Sequence, residues 1–287
     1  MIYLLLTILL NTFLFILFKL FPRFGIDALQ AIVVNYITCV VTGSIFLGYF
    51  PINKASTQQP WFGWALFLGL LFISIFNFIA YCTRKYGMTI STIANKLSIV
   101  IPVVFSVLLY NEHLTALNIA GLLIAFPAVY FSARVEGESG KVGNLLVPAL
   151  LFISCGSLDT FMKYTEHTYL QDKGLQAVFP VHVFAVAALI GIIIITISAL
   201  RKKSKPAIKN VVAGIILGVP NYFSIYYYIR LLNSNFMKSS ASIPVNNIGI
   251  VLCCAFVGML LFKEPSGKPR ITGLILSVIA IVLISLN

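Results

Sequence analysis

Ten long apolar runs fill this sequence, at roughly 2–21, 28–50, 61–83, 89–110, 114–132, 144–165, 174–199, 210–232, 240–262 and 270–286. An α-helix rises about 1.5 Å per residue, so about twenty apolar residues cross the ~30 Å hydrocarbon layer of a bilayer. Inside that layer every backbone N–H and C=O needs a partner from the protein, which leaves helices and closed barrels. The runs are continuous and lack the alternating ten-residue pattern of barrel strands. They predict an all-α integral membrane protein with ten transmembrane helices. Only 10% of the residues are charged and the mean hydropathy is +0.99. A soluble fold of this length could not cover its surface with so few charges.

The net charge is +12, yet the basic residues sit in short clusters between runs, with no basic helix face and no nucleic-acid motif. Loop Lys and Arg are what membrane topology requires, so the expected partners are the lipid bilayer and a small-molecule substrate, with no nucleic acid. Oligomeric state leaves no mark here. The five cysteines, Cys39, Cys82, Cys155, Cys253 and Cys254, all fall inside apolar runs without metal-ligand or CxxC spacing, and read as buried reduced thiols. No metal or cofactor is expected. The opening MIYLLLTILLNTFLFILFKLF has no basic start and no small-residue cleavage site, and reads as a retained first span.

Two short stretches repeat. VLLYNEHLTALNIAG (107–121) and MLLFKEPSGKPRITG (259–273) each place an acid, Glu112 or Glu264, nine residues before a glycine, Gly121 or Gly273. The chain has only 8 acidic residues, so a matched pair is informative. LQAI (29–32) also matches LQAV (175–178), and FK (18–19) matches MK (162–163). The offsets are 152, 146 and 144, in one order along both halves. The domain reading is a first five-span repeat over 1–136, a linker at 137–143 and a second five-span repeat over 144–287. Five is odd, so the second half enters the membrane upside down. That is an inverted-topology repeat, an arrangement found in many secondary transporters.

The loop charges orient it. Loops 1–2, 3–4, 5–6, 7–8 and 9–10 carry 14 Lys or Arg, the opposite loops carry 5, and Lys96 lies inside a span. The positive-inside bias makes the richer side cytoplasmic and puts both termini outside.

The LLYNEHLTALNIAGLLI hairpin (108–124) resembles the GE…G hairpin between spans 4 and 5 of EamA-type proteins in the drug/metabolite transporter superfamily, and LLFKEPSGKPRITGLIL (260–276) resembles its second copy. The family's glycine before the acid is Asn111 in one copy and Lys263 in the other. The resemblance covers the whole chain and implies a ten-span permease, often an exporter, in a bacterial inner membrane. It also implies cytoplasmic termini, against the charge count.

Polar groups in hydrocarbon are costly and usually face the bundle interior. Asn95 in span 4 aligns with Asn247 in span 9 through the same offset of 152, with Lys96 and Asn246 as their immediate neighbours. The resemblance places spans 4 and 9 at the centre, which makes the amides cavity candidates. Interhelical hydrogen bonding is their bland alternative, at about 0.6–2 kcal/mol each. Lys96 lies about 9 Å deep by helical rise; it either snorkels to the interface or meets a carboxylate or phosphate. Pro244 in span 9 frees backbone groups just before the amide pair. Asn221, Tyr222 and Tyr226 in span 8, beside Pro220, and Asn35, Asn77 and His182 in spans 2, 3 and 7 complete the cavity candidates. Asn11 in span 1 is a further lone amide. Asp159 and Lys163, four apart in span 6, are a coupling pair or a self-neutralising ion pair. Glu112 and Glu264 are hairpin-turn acids, favoured by the exposed N–H groups at a helix start.

No HExxH, GxSxG or paired intramembrane acids occur, so an enzyme is not the expectation. The leading reading is a secondary, non-ATP transporter of a small metabolite, an amino acid or organic anion, working by alternating access about a midplane site. The alternative is a lipid-linked sugar or polyprenyl-phosphate translocase.

Overall fold

The computed structural model describes residues 1–110, 115–133, 146–170, 172–201, 206–232, 239–265 and 267–286. The described residues form eleven α-helices and no strand: α1 Ile2–Leu20, α2 Ala28–Leu47, α3 Phe62–Tyr86, α4 Met88–Leu97, α5 Val100–Tyr110, α6 Ala116–Ala133, α7 Leu146–Tyr169, α8 Lys173–Leu200, α9 Ile208–Leu232, α10 Ser239–Phe262 and α11 Lys268–Ser285. Among the described residues eight segments are long and apolar enough to cross a membrane, and a shorter apolar helix covers Ala116–Ser132. The chain is an integral membrane protein. The linker at 137–143 and Glu112 lie outside the described residues.

Span 4, expected at roughly 89–110, remains one candidate crossing over Met88–Phe105, but it is built as two helices, α4 and α5, parted at Ser98–Ile99. Pro102 explains the break. Proline has no N–H to give the carbonyl of Ser98, and its ring crowds that carbonyl. The Ser98 oxygen instead accepts the N–H of Ile101 at 2.9 Å.

The helix ends follow from local chemistry. Asp27 caps α2 by accepting the Gln30 N–H at 3.2 Å, and Asp172 caps α8 through Gly174 N–H at 2.8 Å. Thr115 and Asn118 exchange side-chain and backbone bonds across the first turn of α6, at 2.9 and 3.2 Å, which is the reciprocal arrangement of a capping box.

The chain divides into two compact units, and each draws on both sequence halves. Unit 1 holds Met1–Lys19, Ile79–Ser157 and Ser224–Asn287; unit 2 holds Leu20–Phe78 and Leu158–Phe223.

In unit 1, α6 and α11 pack most extensively. A Cβ on Gly121 would stand 2.7 Å from Ile284 N and 2.9 Å from Ala280 O, and one on Gly273 would press on Ser132 N and stand 2.9 Å from Ala128 O. The two helices are therefore antiparallel, with backbones touching at both glycines. The contacts are also reciprocal: adding 152 to 121, 128 and 132 gives 273, 280 and 284. Lipid tails are as apolar as leucine, so close backbone approach at small residues is what joins such helices. Asn118 adds a polar tie, donating to the carbonyls of Leu283, Ile284 and Leu286 at 3.3, 2.9 and 3.0 Å.

In unit 2, α2 and α8 are antiparallel in the same manner. Gly191 abuts the Val33 side chain, and a Cβ on Gly43 would stand 3.0 Å from Val181 Cγ2. Here the reciprocal offset is 148, since 33 and 43 map to 181 and 191. That is two residues more than the LQAI/LQAV match implied. Trp61, Ala65, Leu68, Leu170, Phe179 and Val183 form a buried cluster in this unit.

Candidate functional site

The polar residues of unit 2 are drawn into its seams. Asn221 Nδ2 donates to Asn35 Oδ1 at 3.1 Å, and Asn210 Nδ2 donates to Gln30 Oε1 at 2.7 Å. Asn35 Nδ2 is buried and has no hydrogen-bond partner among the described residues. Tyr222 is buried against Gly43, where a Cβ would stand 2.8 Å from its ring, and it neighbours Phe46 and Phe223. Asn77 donates to the Ile73 carbonyl of its own helix at 2.7 Å. The His182 ring is buried, edge-on to Trp61 with centroids 4.9 Å apart, and its Nδ1 lies 3.1 Å from the Val178 carbonyl. If Nδ1 carries the proton it donates there, which leaves Nε2 bare; Nε2 is buried without a partner among the described residues. Asp159 and Lys163 are both exposed on α7.

Unit 1 collects the span 4 and span 9 candidates. Asn95 Nδ2 donates to the Cys155 thiol at 3.2 Å. The Cys254 thiol lies within hydrogen-bonding reach of Thr92 and Thr12 and within electrostatic range of Lys96. Further along, Thr89 of α4 lies beside Gly258 of α10. These contacts fix α4 and α10 as antiparallel, with 92 opposite 254 and 89 opposite 258. Extending that register by helical turns puts Lys96 near the level of Ile250, and the Ser98–Ile99 break near the level of Asn246 and Asn247. Asn246 is 3% exposed, and its Oδ1 has no hydrogen-bond partner among the described residues. Asn247 is half-buried. Gly156 of α7 closes on the break: a Cβ there would stand 2.8 Å from Ser98 O and 2.5 Å from Ile101 Cδ1. Pro102, which makes the break, was present in the sequence as the detectable signal.

Tyr226 and Arg230, also in unit 1, pair at a helix end: Arg230 Nε donates to Tyr226 OH at 2.9 Å and stacks 5.3 Å above its ring. That is the arrangement of an interfacial anchor. Asn11 donates to the Thr7 carbonyl of its own helix at 2.9 Å.

The Glu264 carboxylate reaches the start of α4, from the other sequence half. Oε1 accepts the Met88 N–H at 2.6 Å, and Oε2 accepts the Thr89 N–H at 3.2 Å and the Thr89 hydroxyl at 3.0 Å. Lys19 Nζ lies 3.2 Å from Oε1, and the Glu264 side chain is only 4% exposed. Arg270 on α11 adds a second positive field. Exposed N–H groups and the helix dipole favour an anion here. Space for it comes from Gly87 and Gly258, since a Cβ on either would stand 2.5 or 2.8 Å from a carboxylate oxygen. Gly87 also sits at φ 102°, as the N-cap of α4. The residue before Glu264, Lys263, is at φ 50°. This is the left-handed region that glycine occupies without cost, which accounts for the glycine usual at that place in the GE…G hairpin.

Glu264 brings the ends of α1, α3 and α10 together, so loops 1–2, 3–4 and 9–10 share one end of unit 1. The start of α1 and the end of α11 lie at the opposite end, because α1 finishes and α11 begins beside Glu264. In unit 2, Asn210 Oδ1 accepts the Asp27 N–H at 3.0 Å and Lys209 Nζ donates to Phe24 O at 3.3 Å, which joins loops 1–2 and 7–8. Among the described residues no group of three His, Cys, Asp or Glu side chains could hold a metal ion.

Comparison with known proteins agrees with this architecture. Residues 1–134 match the model of the EamA-like transporter family. An uncharacterized protein of Haemophilus influenzae is 27% identical over 277 residues, covering 93% of this chain and 91% of its own. A protein known by crystal structure superposes with a TM-score of 0.59 at 13% identity, covering 98% of each chain. That likeness speaks for the fold alone.

Proposed function

We propose, on the match of residues 1–134 to the EamA-like transporter family, that the chain is a secondary carrier of a small metabolite, an amino acid or organic anion, in a bacterial inner membrane. The observation that carries the reading is the break in span 4. The break lies near the level of Asn246 and Asn247 of α10, about one helical turn beyond Asn95 and Lys96 of α4, and Asn246 Oδ1 is a buried acceptor with no partner among the described residues. Broken helices at membrane depth occur where backbone lines a cavity, and carrier sites use them. A buried acceptor without a partner is expensive unless something else satisfies it. In this site Lys96 meets an anionic group of the solute, and Asn95, Asn246 and Asn247 supply hydrogen bonds.

The two five-span halves act as inverted repeats that rock about the site. Support comes from the reciprocal antiparallel contacts, at an offset of 152 in α6–α11 and 148 in α2–α8. A duplicate that enters the membrane upside down pairs matching helices in this antiparallel way. The loop-charge bias makes the Lys19–Glu264 end cytoplasmic and the termini external. A reporter fused after Asn287 tests the orientation, and a cytoplasmic signal refutes it.

Lys96 also suits the phosphate of a polyprenyl carrier, so the translocase reading stays as the alternative. Purified protein in liposomes, offered amino acids, organic anions and polyprenyl phosphates, separates the two. Flux of the small solutes supports the carrier; movement of the lipid alone supports the translocase. No flux of any class from folded protein would falsify both.

A further inference from the structure

We propose that Glu264 is a latch: the Lys19–Glu264–α4 tie holds one end of unit 1 shut in this conformation and has to part during each transport cycle. The proposal rests on the carrier reading.

Four features distinguish a latch from a passive cap. The tie joins the two sequence halves, because Lys19, Met88 and Thr89 come from the first and Glu264 from the second. Any movement of α4 against α1 and α10 therefore pulls on it. The helix it holds is short. α4 has ten residues, bounded by Gly87 at φ 102° and by the break after Leu97, so it can turn as a rigid lever. The lever bears the site: Lys96 lies seven residues beyond Thr89, about 10 Å by helical rise. Finally, the carboxylate is buried and fully engaged, and an ion pair that loses its partners in a dry place is strongly unfavourable. Intermediate positions are thus disfavoured, and the tie is either closed or open to water. Lys19 and Arg270 are the charged groups facing Glu264 among the described residues, together with the uncharged N–H groups of α4.

Cys254 is a native reporter. It is fully buried, next to Thr92 and Thr12, about one turn below the tie. Cys39 of unit 2 is equally buried and serves as the control. Full-length protein in liposomes is treated with N-ethylmaleimide, and modification of each cysteine is followed by peptide mass spectrometry. Glu264→Gln offers one acceptor where the carboxylate offers two and has no charge for Lys19, so Cys254 modification should rise about tenfold or more while Cys39 stays protected. Lys19→Gln keeps the carboxylate on α4 and should raise Cys254 modification by a smaller factor, about threefold. Equal, slow modification of Cys254 in wild type and both variants overturns the latch. A rise at Cys39 matching that at Cys254 in Glu264→Gln makes Glu264 a fold-holding cap; Lys19→Gln then decides, and a flat Cys254 rate in that variant also overturns the proposal. Flux is not read in this experiment, so failure of the carrier reading shows up separately in the liposome uptake.

Discussion

The buried amides of the two units have different fates. In unit 2, Asn221 is spent on Asn35 and Asn210 on Gln30, and these bonds fasten α2 to α9 along a parallel seam. In unit 1, Asn246 presents a buried oxygen that no described residue meets, close in register to a helix break and a lysine. All of these residues look alike in the sequence. Unit 2 also leaves a buried amide nitrogen over, Asn35 Nδ2, but on an amide whose oxygen is bonded to Asn221; Asn246 lies beside a helix break, and that is why the proposed solute site is set in unit 1.

Four variants test that contrast, taken from the largest expected effect downward. Gly273→Val drives a branched side chain into the backbone of Ser132 and Ala128. Overpacking of this kind costs about 1–3 kcal/mol, and with backbone as the obstacle the upper end is expected. Thermal unfolding in detergent micelles measures it, and an unchanged midpoint would mean that α6 and α11 do not touch as described. Asn221→Ala leaves the buried Asn35 oxygen with only the weak Cys39 thiol donor at 3.9 Å, at a cost of about 1–3 kcal/mol. It should lower the midpoint and the yield of folded protein together. Asn246→Ala should do the reverse, cutting flux about tenfold, which is about 1.4 kcal/mol, with the unfolding midpoint unmoved. If Asn246→Ala loses stability and keeps flux, the two units do not differ as argued. Lys263→Gly relieves the left-handed backbone at φ 50° but adds freedom to the unfolded chain. A net gain of about 1 kcal/mol or less is expected, and a clear loss of stability would show that the lysine side chain contributes there.

Much of the architecture was legible because lipid leaves few choices. Long apolar runs in a bilayer become helices, and their ends fell close to the expected positions, as with Ala28–Leu47, Phe62–Tyr86 and Lys173–Leu200. The Glu–Gly hairpins were legible as a matched pair, and Gly121 and Gly273 do lie at close helix approaches. The break in span 4 was missed, although Pro102 four residues after Ser98 signals it. The capping box of Thr115 and Asn118 has recognisable spacing, but the reach of Asn118 to the last turn of α11 does not. Asn35 and Asn221, both cavity candidates, turned out to bond each other, and nothing near either residue announces the other.

By itself the sequence determined the membrane setting and most of the helices, because these depend on local hydropathy and on residues close in the chain. Tertiary structure alone decided which polar groups are paired. Glu264 meets its α4 partners across 176 and 175 residues of chain, and Asn35 meets Asn221 across 186. Whether a buried polar group is satisfied depends on what the fold brings within about 3 Å of it. The hairpin acid Glu264 also accepts hydrogen bonds from Met88 and Thr89 at the start of a helix in the other half.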